Sequence, residues 1–442
     1  MPSASTTVSS PARPRFVRDR LTLGLYTPFV VWGWLLYSFN PSVPLLADEL
    51  GVTAAQAGLH GTAMAVGGLA AAPLTPRAVR RVGRRATIVA ALVLVAAGVT
   101  GLLLGPTLPW TLAGMFVTAV GGNVMIASTQ VGIAQHTGPA ASAAITEANG
   151  AGSSVGLIGP IAVGACVAAG WGWRPGVAVT VGLAVVAALL VSRLPATPAL
   201  PWWPGRAGRA AAADVAVARR TDAADAAPGS DAQDGPDPDA TVDTSASGAP
   251  RVSRHAAPLF LAALVAATAL ENATTYWATD LVLARTDAGP GIATATTAGL
   301  VAGMSVMRFI VGPLSLRIHP AHLLAASFAI AIAGWALLWT ATDVGVALTG
   351  LVVAGFGYGA QYPLGVSLLL AVSRGHADRA QSHATLAGAL AIGVAPFLLG
   401  ALADAFGTHQ AFLLVPVVAA AGVVVAVLGA RVVRHPARTD LG

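Results

Sequence analysis

Twelve long apolar stretches constrain this chain more than any other feature of its sequence. A helix needs about 20 predominantly apolar residues to cross the hydrocarbon core of a bilayer. The mean hydropathy is +0.71 and only 10% of the residues are charged, against about a quarter in soluble domains. The sequence therefore predicts an all-α integral membrane protein with twelve transmembrane helices. They are predicted at 22–46, 55–75, 86–105, 109–134, 143–169, 175–194, 257–282, 290–314, 322–341, 344–371, 381–405 and 410–430.

The twelve stretches fall into two groups of six, separated by a segment of different composition. Residues 195–256 are rich in Asp, Ala, Pro and Gly, a composition that buries too little apolar area to fold and predicts a largely disordered loop. An Ala-rich stretch at 206–220 predicts a short surface helix, and Trp202 and Trp203 are expected at the headgroup level. The predicted organisation is a tail at 1–20 without a signal peptide, a bundle at 21–194, the loop at 195–256, a bundle at 257–431 and a tail at 432–442.

The distribution of arginine predicts how the chain is oriented in the membrane. All 25 basic residues are arginines, as biased codon usage in a prokaryote would produce, and five of them lie in PRAVRRVGRR at 76–85. With the N-terminus inside, 22 lie in inner segments, Arg174 and Arg285 lie in outer loops, and Arg308 lies in a span. Cytoplasmic loops carry such an excess of positive charge. We therefore expect both termini in the cytoplasm, a prokaryotic inner membrane as the location, and lipid rather than nucleic acid as the partner of this charge.

Short internal repeats indicate that the two halves are related. PLTPR at 73–77 recurs as PLSLR at 313–317, and GPIAVGA at 159–165 recurs as APFLLGA at 395–401. The displacements of 240 and 236 residues agree closely, and each repeat falls at the same place in its group of six. Parallel repeats of this kind are related by an axis along the membrane normal. The sequence therefore predicts two pseudo-symmetric six-helix bundles.

The loop after the second span resembles a motif of the major facilitator superfamily, whose pattern is G-x-x-x-D-[RK]-x-G-[RK]-[RK]. This chain keeps Arg81, Gly83, Arg84 and Arg85, but it has Pro76 and Arg80 in place of the first glycine and the aspartate. The resemblance implies a secondary transporter that works by alternating access, with this loop as part of the inner gate. It also implies that the gate has lost the carboxylate of that family. Glu147, at the inner end of the fifth span, is expected either to replace it by pairing with arginines 80–85 or to be a simple interfacial residue.

Two further segments bear on the branch of that family. GVTAAQAG at 51–58 resembles the usual outer loop, and GPIAVG in the fifth span partly matches a motif of drug–proton antiporters. In the seventh span Glu271 precedes Trp277 by a few residues, which resembles the fucose-permease-like branch. The resemblance covers nearly the whole chain apart from the tails and the central loop.

Glu271 is the predicted proton-coupling residue. It lies in the middle of the seventh span, where a charged side chain costs at least ~2.5–3.5 kcal/mol unless it faces a partner or a cavity. Low-dielectric surroundings favour the neutral carboxyl and so suit reversible proton binding. The alternative is a structural role, as a hydrogen-bonding partner or paired with Arg308. Arg308 itself is expected to extend to the headgroups or brace the inner gate, and Asp404 to be an end residue of the eleventh span.

Uncharged polar and aromatic side chains make up the predicted substrate cavity. The resemblance implies a cavity built mainly from spans 1, 4, 7 and 10, with Trp32, Trp34 and Tyr37 as possible apolar walls. For each residue, an interhelical hydrogen bond or a packing role is an equal alternative. The candidates are Asn40, Asn123, Gln130, Asn149, Asn272, Tyr276, Trp277, Gln361 and Tyr362.

The sequence gives little support for soluble-enzyme chemistry. His319 and His322 form only a weak ligand pair, Cys166 is a lone cysteine, and the chain has no lysine for a Walker loop. We expect no cofactor, no metal, no enzymatic activity and a monomer. The predicted function is secondary active transport of a small organic solute, neutral or weakly polar, with protons as the coupling ion. The alternatives are an efflux antiporter for drugs or metabolites, uncoupled facilitation, and a non-transporting membrane sensor or scaffold.

Overall fold

The part of the chain that the structure describes folds into twelve helical spans. The computed structural model describes residues 18–195, 197, 199, 200, 256–315, 317–373 and 377–434. Spans 1 to 6 are Arg20–Phe39 with Val43–Leu50, Ala54–Val82, Arg84–Leu104, Leu108–Thr137, Ala141–Gly156 with Ile158–Ala168, and Arg174–Ser192. Spans 7 to 12 are Ala256–Arg285, Pro290–Ser315, Pro320–Thr340, Val344–Val372, Ala377–Phe406, and Thr408–Ala411 with Leu414–Arg434. The predicted disordered loop, the surface helix at 206–220, Trp202, Trp203 and most of both tails lie outside the described residues.

Twelve spans were predicted, and the all-helical fold confirms them. Eleven of the described helical segments are long and apolar enough to cross a membrane by length and composition alone. Span 2 does not reach that hydropathy because it is rich in glycine and alanine and carries Gln56 and His60. His60 is fully buried, its Nδ1 lying 2.8 Å from the Ala57 carbonyl and its Nε2 3.0 Å from Thr111 Oγ1. Burial against span 4, rather than apolar composition, thus places span 2 in the bundle.

Short turns with local caps hold the hairpins together. Thr53 caps span 2 in a capping box, its hydroxyl accepting from Gln56 N while the Gln56 side chain accepts from Thr53 N. At the other end, Gly83 has φ 86° and ψ 159°, and it is the only residue between spans 2 and 3. Glycine populates positive φ without the clash that a Cβ brings. The tight turn of the basic loop therefore depends on glycine.

Two pairs of helices make the most extensive contacts between the two bundles. Span 2 lies against span 11, and span 5 lies against span 8. We call the face that carries residues 76–85 the basic face, and the other end of the bundles the opposite face. Thr62 of span 2 donates to the Gly393 carbonyl of span 11 at 2.6 Å, and Asn40 of span 1 donates to Thr275 of span 7 at 3.3 Å. These contacts lie in the halves of the spans next to the opposite face, where the bundles are closed on each other.

Candidate functional site

Glu271 lies in the middle of span 7 and faces a cation. Its Oε1 is 3.6 Å from Nη2 of Arg308 in span 8, and the two side chains are 24% and 33% exposed. The pair is therefore close enough for strong attraction while remaining accessible. The expected structural alternative for Glu271, a pairing with Arg308, is formed in this conformation.

Arg308 also reaches the other bundle. Its Nη1 donates to Ser153 Oγ of span 5 at 2.9 Å, and the Tyr37 hydroxyl of span 1 lies beside its guanidinium. The side chain thus points into the space between spans 1, 5, 7 and 8. The expectation that it extends to the headgroups is wrong, because its polar partners lie in the protein interior.

Two tyrosines of span 10 complete the cluster around Glu271. Tyr358 is buried, with its hydroxyl 2.9 Å from Thr274 Oγ1 one turn along span 7. Tyr362 lies one turn further along span 10 and is 45% exposed. Both rings are near enough to the Glu271 carboxylate to interact with it electrostatically. Of the predicted cavity residues, Tyr362 of span 10 is within electrostatic range of Glu271, and Asn272 follows Glu271 directly in span 7.

Three of the four asparagine candidates bond to their own helices. Asn123 donates to the Ala119 carbonyl, Asn149 to Ile145 and Asn272 to Thr268, each at 2.8–2.9 Å and four residues back. In a helix such a carbonyl is the nearest acceptor for a short amide side chain. Gln130 is half-buried in span 4.

Four other candidates lie in helix packing. Gln361 is buried with its Nε2 3.5 Å from the Ser327 carbonyl of span 9. Trp277 donates to the Pro396 carbonyl of span 11 at 2.8 Å. Tyr276 is fully buried, and Asn40 joins span 1 to Thr275.

The two tryptophans of span 1 that were expected as apolar walls of the cavity also contact neighbouring helices. Trp34 donates to the Gly176 carbonyl of span 6, and the Trp32 ring packs on Gly122 of span 4.

The basic loop is tied to its own bundle. Arg84 donates to the Gln135 side chain at the end of span 4 and to the Ala199 carbonyl at 3.0 Å, and Arg85, only 2% exposed, donates to the Pro195 carbonyl. Arg81 is exposed in the last turn of span 2. Through Arg84 and Arg85 the loop holds the segment that leaves span 6 against the basic face.

Glu147 pairs with Arg18, which lies just before span 1. Both of its carboxylate oxygens accept from Arg18, at 2.6 and 2.9 Å. The expected pairing with arginines 80–85 is therefore wrong, because the N-terminal approach to span 1 lies nearer to the start of span 5. Glu147 ties span 1 to span 5 within the first bundle.

A second polar contact at the same end involves Asp19, which caps span 1. Asp19 Oδ1 accepts from Thr22 N and Thr22 Oγ1, and Oδ2 lies 2.7 Å from Nε2 of His136 in span 4. Burial raises the pKa of Asp19, but the hydrogen bonds from Thr22 and His136 outweigh it and hold the pKa below its usual value.

Sequence reasoning missed Ser153, Tyr358 and Asp404 as partners in the site or between the bundles. Ser153 and Tyr358 stand in GAGSS and GFGYG, whose glycines indicate close helix packing. Their positions in spans 5 and 10 could have indicated a role in the site, since each is a polar group at the same depth as Glu271. Nothing in the sequence gives the direction in which they point.

The sequence as a whole matches one known protein family. The sequence profile of the Major Facilitator Superfamily matches residues 29–285 and 259–441, which together cover nearly the whole chain. The chain belongs to the Major Facilitator Superfamily. Glu271 and Arg308, which lie on neighbouring spans of the second bundle, are therefore part of a transporter fold.

Solved structures share the fold of this superfamily member. A bacterial homolog of the human lysosomal transporter Spinster, inward-facing and unoccupied, has a TM-score of 0.71 and 14% identity, covering 96% of this chain and 100% of that one. A D-xylose–proton symporter has a TM-score of 0.71 and 15% identity, with 94% and 97% covered. The inward-open xylose transporter of E. coli has a TM-score of 0.68 at 15% identity, with 93% and 95% covered. At such identities the likeness shows the fold alone.

Curated relatives match a smaller part of the chain. Uncharacterized MFS-type transporters of Burkholderia mallei (strain SAVP1) and Burkholderia pseudomallei (strain 668) are each 40% identical over 98 residues. This covers 22% of the chain and 24% of the length of each relative. The match supports the same family without specifying a substrate.

Proposed function

We propose that this superfamily member is a proton-coupled secondary transporter of a small organic solute, with Glu271 as the proton-binding group. The observation that carries the proposal is the Glu271–Arg308 pair, 3.6 Å apart and still partly exposed at the depth where the bundles meet. A coupling site has to be reached by protons and also has to sense the arrangement of the bundles. This pair meets both requirements, because Arg308 bonds to Ser153 of the other bundle.

Protonation of Glu271 changes what Arg308 is paired with. While the carboxylate is charged, the pair has no net charge and its attraction holds the guanidinium toward span 7. When the carboxyl is neutral, that attraction is lost and the guanidinium has donors free for the solute or for Ser153 and Tyr37 of the first bundle. A single proton thereby changes the balance between contacts within one bundle and contacts across both.

The same pair bears on the class of solute. A cation placed beside Glu271 would be repelled by Arg308, so this arrangement does not favour cationic drugs. A neutral polar solute can accept from Arg308 and bond to the half-exposed Tyr362. We therefore propose neutral or weakly polar organic solutes rather than the cationic substrates of an efflux antiporter.

The proposal includes sidedness. The basic face would be cytoplasmic, because the described ends of the spans there carry Arg77, Arg80, Arg81 and Arg84. The bundles are in contact on the opposite face, so the site in this conformation would be accessible from the cytoplasm. Glu271 would then exchange protons with that compartment.

Glu271→Gln tests the coupling. A thermal-shift screen of the purified protein against neutral polar solutes at two pH values first finds a ligand, since binding raises apparent stability. In proteoliposomes, the parent should accumulate the labelled solute when a pH gradient is imposed. Glu271→Gln should lose this uphill accumulation but keep counterflow exchange, because exchange needs no net proton movement.

Glu49→Gln is the matched control. Glu49 pairs with Arg174 at the opposite face, so the same substitution breaks a glutamate–arginine pair away from the site. This variant should accumulate solute as the parent does. Unchanged uphill transport in Glu271→Gln would remove Glu271 from coupling, and no flux in the parent for any stabilising ligand would favour a sensor or scaffold.

A further inference from the structure

Asp404 of span 11 binds the start of span 2 across the boundary between the bundles. Its Oδ1 accepts from Ala54 N and its Oδ2 from Ala55 N, each at 2.8 Å. Ala54 is the first residue of span 2 and belongs to the first bundle, whereas Asp404 lies in the last turn of span 11 in the second. One carboxylate therefore makes two hydrogen bonds between the bundles, and separation of the bundles on the opposite face would break both.

The chemistry of a helix start explains why these bonds stabilise the closed face. The first amides of a helix have no partner within the helix, and the helix dipole favours negative charge there. The local cap of span 2, Thr53, accepts from the Gln56 amide and leaves those of Ala54 and Ala55 to other acceptors. Asp404 accepts from these two, so span 2 is capped once by its own chain and once by the other bundle.

A close backbone approach brings Asp404 into place. Gly400 lies one turn before it on span 11, and a Cβ built on Gly400 would stand 2.5 Å from the Ala54 carbonyl oxygen. Any larger side chain at 400 would push the start of span 2 away from Asp404. The contact thus requires both the carboxylate and the missing side chain.

The related contact between spans 5 and 8 lacks the carboxylate. Gly164, displaced from Gly400 by the repeat of 236 residues, packs on the Gly291 backbone, where a Cβ would stand 2.4 Å from its carbonyl oxygen. At the position that corresponds to Asp404, span 5 has Ala168. The close approach is common to both halves, whereas the carboxylate is specific to the span 2–span 11 side.

Repulsion opposes closure at the same place. Asp48 of the first bundle and Asp280 of the second lie near Asp404, and together with Thr53 and Thr408 they line a polar cavity of about 270 Å³. Thr408 donates to Asp280. Closing this face therefore brings three carboxylates together. The hydrogen bonds from the Ala54 and Ala55 amides to Asp404 offset this repulsion.

We propose that Asp404 is the latch of the opposite face, a positioning residue that sets the balance between the two conformations of the transporter. This inference rests on alternating access, but it does not depend on proton coupling through Glu271. Removal of the latch should shift the equilibrium toward the form that is open on the opposite face.

Distances between spin labels on the opposite face test the latch. The labels are placed at the exposed Thr107 and Thr340, one in each bundle, after Cys166→Ser removes the single native cysteine. Double electron–electron resonance in nanodiscs without solute then gives the populations of short and long distances. Asp404→Ala should raise the ratio of the long to the short population about fivefold, the effect expected from a helix N-cap.

A second variant and two controls separate the latch from general destabilisation. Gly400→Ala should shift the populations in the same direction, because its methyl group meets the Ala54 carbonyl. Gly388→Ala lies on the same helix with open space around it, and Asp343→Ala removes a cap that serves Val346 within one bundle of the same face. Both controls should leave the distances unchanged.

The outcomes are distinct. A rise of the long-distance population in Asp404→Ala and Gly400→Ala but in neither control supports the latch. Parent-like distances in a folded Asp404→Ala would overturn it. A shift to shorter distances would overturn it as well, since repulsion among the three carboxylates would then outweigh the hydrogen bonds.

Discussion

Glu271 and Arg308 stand 3.6 Å apart on neighbouring spans of one bundle, and Arg308 also bonds to Ser153 of the other bundle. The Arg308 guanidinium therefore contacts the Glu271 carboxyl of its own bundle and the Ser153 hydroxyl of the other bundle. A change in the charge of Glu271 therefore alters the electrostatic attraction on Arg308, and with it the contact between the two bundles.

Replacement of Arg308 alone should lower the stability of the folded protein more than replacement of both Arg308 and Glu271. Arg308→Gln leaves Glu271 charged without a partner, whereas the double variant with Glu271→Gln leaves two neutral groups. Breaking a buried pair costs roughly 3–5 kcal/mol, and the partial exposure here reduces the expected cost to about 1–3 kcal/mol. Thermal unfolding of both single variants and the double variant measures this.

In that cycle the double variant should recover most of the stability lost in Arg308→Gln, yet remain unable to accumulate solute uphill. Equal stability of Arg308→Gln and the parent would show that the pair does not interact measurably.

Gly83→Ala should destabilise the first bundle. The φ of 86° and ψ of 159° at Gly83 lie in a region that is almost restricted to glycine, and a side chain there costs about 1–3 kcal/mol. The thermal midpoint should fall accordingly. Gly101→Ala, a helical position with open space around it, is the control and should be neutral or slightly stabilising. A parent-like midpoint for Gly83→Ala would show that the turn can relax.

Asp19→Ala should weaken the start of span 1 in a pH-dependent manner. Loss of a carboxylate N-cap costs about 1 kcal/mol at neutral pH. Because the pKa of Asp19 is lower in the folded protein, its contribution is complete above the ordinary carboxyl pKa of 3.8 and is lost as pH falls through the lower folded value. Thermal midpoints of parent and variant should therefore differ at pH 7 and converge in strong acid. A difference that persists undiminished there would contradict this assignment.

Arg18→Ala should lower stability slightly and in a salt-dependent way. The Arg18–Glu147 pair is bidentate but largely exposed, and exposed pairs are screened by salt. The difference in thermal midpoint between parent and variant should shrink at 1 M salt. Arg84→Ala, which frees the Ala199 carbonyl and Gln135, should instead keep its effect at high salt, because both acceptors are uncharged and the bond to the Ala199 carbonyl is partly buried.

Local bonding orients several of the side chains that were predicted to line the cavity. Asn123, Asn149 and Asn272 each donate one amide N–H to a carbonyl of their own helix, which leaves a second N–H and the amide oxygen for other partners. Gln361 lies beside Tyr362 in sequence, but a step of one residue turns a helical side chain by about 100°. Gln361 therefore points toward span 9, whereas Tyr362 points in a different direction and is 45% exposed.

The sequence by itself determined the twelve spans, their two related groups and the presence of an acid in the middle of span 7. These follow from hydropathy, repeats and the cost of charge in lipid, which are properties of segments and need no knowledge of neighbours. Only the tertiary structure decided that Arg308 points at Glu271, that Glu147 pairs with Arg18 and that Asp404 caps span 2. Each of these depends on the rotation of one helix against another, and packing of side chains from distant parts of the chain sets that rotation.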